Sequence, residues 1–149
     1  MCIRDRACAA FEDLFKAFQS PDQKKGTFYF SHSGAFLKLI SYLGLYKDSD
    51  PLRADNFDPK VLSQFRTSAI DPLGSNIAFV KQRCEEEKLF RVGLFVNEVL
   101  TQVPGCRDLW CEIRELKRVL KVDQCNFEEL CFVEENAEEI LKNAPDDRF

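Results

Sequence analysis

The stretch Thr27-Phe28-Tyr29-Phe30-Ser31 runs directly into His32-Ser33-Gly34, and that into the apolar run Ala35–Leu43. The first piece is β-branched and aromatic and reads as a short buried strand. The last has Phe36, Leu37, Leu39, Ile40, Tyr42 and Leu43 on most of its faces, which predicts a largely buried helix with Gly44 as its stop. A strand feeding a helix at once predicts an α/β fold. It sets His32 at the carboxyl end of a strand and the amino end of a helix, the edge where open α/β sheets bind ligands. The unsatisfied N–H groups and partial positive charge of a helix N-terminus suit an anion such as phosphate. Ser33 is expected to cap the helix, and Gly34 to let a ligand approach the backbone closely. The plainer alternative is a histidine tucked under a loop, with Ser33 as a simple cap.

The rest of the chain supplies a scaffold. Phe11, Leu14, Phe15 and Phe18 recur at helical spacing and predict an amphipathic helix over about Cys8–Gln19. Ser20-Pro21-Asp22 ends it, and a polar loop runs to Gly26. Asp48–Pro59 reads as a loop. Phe65–Ile70 is expected to be a strand, followed by a turn at Asp71-Pro72-Leu73-Gly74. Asn76–Arg83 and Leu89–Asn97 read as two antiparallel strands joined through Glu85-Glu86-Glu87. The second is apolar on both faces, so it is expected to be central in its sheet. Pro104-Gly105 marks a turn. Trp110, Ile113, Leu116 or Lys117, and Leu120 predict a further helix, and about Phe127–Leu141 a short acidic one.

Composition narrows the function. The chain has 149 residues, net charge −4, 45% hydrophobic and 31% charged residues, which is globular rather than disordered. The segment Glu134–Phe149 carries six acids against Lys142 and Arg148, so the remainder is balanced and offers no basic stripe for nucleic acid. No apolar run approaches the ~18 residues of a membrane span. The single histidine excludes a mechanism that needs two histidines from this chain, and any His-rich metal site. No cofactor is called for. Glu85–Glu87 reads as a solvated hairpin tip, Asp71 as a turn residue, and Arg66 as a strand-end arginine that could reach a phosphate.

The seven cysteines are Cys2, Cys8, Cys84, Cys106, Cys111, Cys125 and Cys131. Four fall in two close pairs, Cys106/Cys111 and Cys125/Cys131. Neither has the Cys-x2-Cys spacing of a zinc site, and no second histidine could complete one. Short-loop disulfides in an oxidising compartment are expected, with buried free thiols as the alternative. Cys8 and Cys84 are left unassigned, and an odd count leaves one cysteine without an internal partner. Met1–Arg6 has charges but no apolar stretch behind it, so residues 1–6 are expected to be a non-native lead rather than a signal peptide.

The run from Gly26 to Leu52 (GTFYFSHSGAFLKLISYLGLYKDSDPL) resembles the second signature region of the histidine acid phosphatases. It looks most like the branch of multiple inositol polyphosphate phosphatases, which has an aromatic strand, a His-Ala-Glu or His-Asp motif, a leucine-rich helix and a Gly-Leu-(Tyr/Phe)-Lys-Asp turn. Phe65-Arg66-Thr67-Ser68 and Gly74-Ser75-Asn76 resemble that family's next block. Arg91-Val92, Val96-Asn97-Glu98 and Pro104-Gly105-Cys106 with Cys111 resemble its closing strands and C-terminal disulfide. No one block is specific; their order from Gly26 to Cys111, and more loosely to Cys131, carries the resemblance.

The resemblance implies a phosphomonoesterase that needs no metal. A histidine in an Arg-His-Gly motif attacks phosphorus and forms a phosphohistidine. Arginines and the second-motif histidine hold the phosphoryl oxygens, and an acid in that second motif protonates the leaving alcohol. Phytate and related inositol polyphosphates, or 2,3-bisphosphoglycerate, are the implied substrates. His32 falls at the second-motif histidine, a phosphate contact, with Ser33 and Gly34 beside it at the phosphate. Two departures follow. No Arg-His-Gly occurs in the chain, so it is expected to be the C-terminal portion (residues 7–131) of a longer histidine-phosphatase-type domain, followed by an acidic tail (132–149). The N-terminal remainder of the sheet, with the nucleophile, would be missing. Gly34 stands where the branch has its proton-donor glutamate, and Ser33 where the His-Asp branch has aspartate; neither can act as a carboxylic acid. The chain alone is therefore expected to be inactive, with a secreted or endoplasmic-reticulum-lumen setting. The competing expectation is a secreted, non-catalytic pseudophosphatase that binds phosphorylated ligands or a protein partner. A third is a disulfide-stapled structural domain with no site.

Overall fold

The computed structural model describes residues 7–20, 26–50, 53, 63–84 and 89–125. The first helix, α1 (Cys8–Gln19), coincides with the predicted one and buries Phe11 and Phe15. The second, α2 (Ser33–Leu43), buries Ile40 and Leu43 and stops at Gly44, whose φ of 71° is the left-handed conformation that glycine adopts at no steric cost. A single turn, α3 (Thr67–Ile70), precedes the sheet.

The predicted antiparallel pair forms as β1 (Ile77–Cys84) and β2 (Leu89–Val96), in register from Ile77 opposite Val96 to Cys84 opposite Leu89. Two three-residue strands share the other edge of β2: β3 (Val99–Thr101) along its second half and β4 (Trp110–Glu112) along its first. β2 is therefore the centre of the sheet, as its two apolar faces predict, and Val92, Leu94 and Val96 are buried. Helix α4 (Ile113–Val119) follows β4 and seats Leu116 in the core, and a 3-10 turn (Val122–Gln124) packs against α1. Phe11 stacks on Tyr42 at 4.9 Å, and the Tyr42 hydroxyl donates to the Leu120 carbonyl at 2.7 Å, tying α1, α2 and the end of α4 together. Helices are thus mixed with an antiparallel sheet. No helix among the described residues is long and apolar enough to cross a membrane.

Four expectations change. Residues 27–31 are not a buried strand: they pair with no strand among the described residues, and Phe28 and Phe30 are 82% and 97% exposed. β-propensity reports fitness for a sheet surface, and it yields a strand only where a neighbouring strand supplies the hydrogen bonds. Tyr29 instead donates its hydroxyl to Asp13 on α1. Within Phe65–Ile70, the expected strand is replaced by the turn α3, closed by Ile70 N–H to the Arg66 carbonyl at 2.9 Å. Trp110 begins β4 rather than a helix, because its ring lies over Gly93, its cross-strand partner on β2. Cys125 is bonded to Cys8, not to Cys131, while Cys106 is bonded to Cys111 as its spacing suggests. Sequence proximity does not choose a partner when the turn after α4 delivers Cys125 to α1. Cys84 is a free thiol. Glu85–Glu87, Phe127–Leu141, Cys131 and most of Asp48–Pro59 lie outside the described residues.

Candidate functional site

His32 is the N-cap residue of α2, with extended backbone (φ −130°, ψ 167°). Its Nδ1 accepts the Gly34 N–H at 3.1 Å, and its carbonyl accepts the N–H groups of Ala35 and Phe36 at 2.9 and 3.2 Å. The capping role expected of Ser33 thus belongs to His32. Ser33 sits one position too late, because a cap side chain must reach forward from a non-helical residue. An Nδ1 that accepts leaves the neutral ring's proton on Nε2, so the exposed edge of the imidazole presents a donor. The helix N-terminus is not an empty anion cradle as expected. An anion at the Gly34 N–H must displace the imidazole.

The Ser33 hydroxyl, released from capping, donates to Oδ2 of Asp71. Asp71 ends α3, its N–H bonded to the Thr67 carbonyl at 2.8 Å, and it is half-buried. Arg66 caps the start of the same turn and is exposed. Asn97, just past β2 with φ 49°, holds this region in place. Its Nδ2 donates to the Ile70 carbonyl at 2.8 Å, and its Oδ1 accepts the Asn76 N–H at 3.1 Å. The structure therefore brings His32, Ser33, Gly34 and Asp71 to one corner, with Asn97 as the brace. The sequence makes Asp71 a turn residue and places Asn97 only at the end of a strand. No local signal pairs Asp71 with a serine 38 residues earlier, whereas an asparagine placed straight after a central strand was a usable sign of left-handed backbone.

Two other places hold less. A depression of about 520 Å³ is lined by Leu45, Tyr46, Lys47, Asp48 and Phe65, at the far end of α2. An 11-residue helix separates it from His32 by roughly 16 Å. Cys106, Cys111 and Glu115 lie close enough together to suggest a metal site, but both sulfurs are spent in the disulfide.

Comparison with known proteins finds curated relatives over most of the chain. The chain is 29% identical over 140 residues to multiple inositol polyphosphate phosphatase 1 of Homo sapiens, covering 84% of this chain and 29% of that protein. It is 34% identical over 100 residues to the protein of the same name in Dictyostelium discoideum, covering 66% of this chain and 16% of that protein. The chain belongs to the histidine acid phosphatase family. Phytase A of Aspergillus fumigatus is a more distant relative, 28% identical over 78 residues that make up 52% of this chain and 17% of that protein. The chain thus spans under a third of the length of these curated phosphatase relatives. No family model matches it, and no solved structure matches it.

Proposed function

We propose that this chain is the C-terminal portion of a histidine acid phosphatase that removes phosphate from inositol polyphosphates such as phytate through a phosphohistidine. Residues 7–131 belong to the catalytic domain, followed by an acidic segment at 132–149. The observation that carries the reading is the similarity to phosphatases named for inositol polyphosphates over most of the chain. His32 at a helix N-terminus gives that similarity a chemical content: Nε2–H and the Gly34 N–H can both face a phosphoryl oxygen once the ring leaves its cap. The nucleophile and its arginines come from the rest of the domain. The two disulfides suit a secreted or endoplasmic-reticulum-lumen protein.

Lacking a nucleophile, the pure 149-residue chain should release no phosphate from phytate. Metal-independent release above a boiled control would overturn the assignment of the nucleophile to a missing segment. Titration of the His32 imidazole resonances with inorganic phosphate tests the contact itself. A saturable shift supports it, and no shift favours a purely structural corner.

Gly34 favours a second reading, a pseudophosphatase that binds phosphorylated ligands or a protein partner without turning them over. The position lacks the carboxylic acid of the branch, and loss of a general acid costs ~10²–10⁴-fold. A Cβ at residue 34 would lie 3.1 Å from the His32 ring, so Gly34→Glu asks only that a flexible side chain shift by a few tenths of an ångström. A gain of phytate hydrolysis by Gly34→Glu over an inactive full-length parent supports the pseudoenzyme. No gain over an already active parent removes it.

A further inference from the structure

The proton-donor position is vacant at Gly34, yet a carboxylate stands one residue away from His32 through a hydroxyl. We propose that Asp71, acting through the Ser33 hydroxyl, supplies the proton to the leaving alcohol in this protein, in place of the acid absent at position 34. The proposal rests on the phosphatase reading above and deepens it.

Ser33 is the first residue of α2 and adjoins the candidate phosphate contact, His32. Its hydroxyl is bonded to Asp71 Oδ2, while the cap of the helix is made by His32. Asp71 arrives from a separate turn, α3, and is fixed by two constraints that do not involve Ser33. Its own N–H is bonded to Thr67, and the preceding carbonyl is bonded to Asn97. The pair is thus assembled by the fold and not by a local turn.

A serine can both donate and accept, so it can pass a proton that it cannot itself supply. In the step considered, the bond between phosphorus and the inositol oxygen breaks and its electron pair stays with that oxygen. The oxygen takes the Ser33 proton, and Ser33 takes the proton carried by Asp71. The phosphoryl group passes to the nucleophilic histidine contributed by the rest of the domain. The bond observed with Ser33 donating to Asp71 Oδ2 reverses for this step, the proton then lying on the carboxyl group and the serine hydroxyl accepting it. After hydrolysis of the phosphohistidine by water, the proton released from that water returns to Asp71.

A purely structural Asp71 would also be sensible, as a carboxylate near the N-terminus of α2. The two roles separate by leaving group. An inositol alkoxide needs protonation to depart, whereas p-nitrophenolate does not. In the full-length protein, Asp71→Asn and Ser33→Ala should each lower kcat on phytate by about a hundredfold or more, and on p-nitrophenyl phosphate by no more than about threefold. Ser33→Thr keeps the hydroxyl and should restore most of the phytate rate. Equal losses on both substrates, or no loss on either, would overturn the relay while leaving the phosphatase reading intact. A wild-type protein that hydrolyses neither substrate removes the phosphatase reading and the relay with it. Should Asp71→Asn fail to fold, the contrast between Ser33→Ala and Ser33→Thr decides alone: matching phytate rates for the two end the proposal.

Discussion

Cys8 and Cys125, 117 residues apart, are joined by a disulfide that closes almost the whole described chain into one loop. The second disulfide, Cys106–Cys111, spans only five residues. In the loop-closure account the long loop constrains the unfolded chain by about 5 kcal/mol and the short one by about 2 kcal/mol. The paired change Cys8→Ser with Cys125→Ser should therefore lower unfolding free energy in urea by roughly twice as much as Cys106→Ser with Cys111→Ser. A peptide map without reduction should link the Cys8 peptide to the Cys125 peptide. A Cys125–Cys131 link would refute the assignment.

Gly93 owes its identity to Trp110. A Cβ on residue 93 would fall 2.9 Å from a carbon of the indole ring, nearer than real Cβ atoms come, in the middle of the central strand. Gly93→Ala should cost about 1–3 kcal/mol through overpacking. Because Trp110 is the only tryptophan, its fluorescence reports the change directly. In the double variant with Trp110→Leu the penalty should shrink, and a fully additive cycle would mean that the contact is not the cause.

The parts of the fold legible in the sequence were those set by local periodicity. The i, i+3, i+4, i+7 spacing from Phe11 to Phe18 fixes α1, and the apolar faces of Leu89–Asn97 mark the central strand. What was not legible depends on partners distant in sequence. The aromatic run Phe28–Phe30 has strand composition but no strand beside it among the described residues, and Trp110 looks helical until Gly93 offers it a hollow. The corner divides in the same way. His32 could be placed at the helix start from its neighbours alone, but Asp71 could not be given to Ser33, nor Asn97 to Ile70, since each partner lies 27 or more residues away.

Asn97 braces the turn that carries Asp71. Removal of its amide in Asn97→Ala leaves the Ile70 carbonyl and the Asn76 N–H without their partner and puts alanine at φ 49°. A loss of about 1–3 kcal/mol is expected from the unpaired groups. Asn97→Asp keeps the acceptor for Asn76 but loses the donor to Ile70, so it should fall between wild type and Asn97→Ala. Equal stability of all three in urea would show that the brace carries no load. Hydrogen exchange at the Asp71 N–H should quicken in the same order.

Asp48 offers a test by pH. Its carboxylate accepts the Ser63 hydroxyl at 2.5 Å and the Gln64 N–H at 2.6 Å, and these bonds, the serine's first, hold its pKa below the ordinary carboxylate value. A carboxyl depressed in the folded state contributes stability that is fully present above its unfolded pKa, about 4, and is lost as pH falls through the folded value. The loss thus belongs to the acid range below about pH 4 and leaves neutral pH untouched. Asp48→Asn should flatten the stability profile in that range while lowering stability at pH 7, and the Asp48 carboxyl carbon should titrate in NMR below the unperturbed midpoint. A midpoint at or above the unperturbed value would mean that Ser63 and Gln64 do not hold the charged form. The residues that follow α2 would then not be tied to Ser63 through this carboxylate.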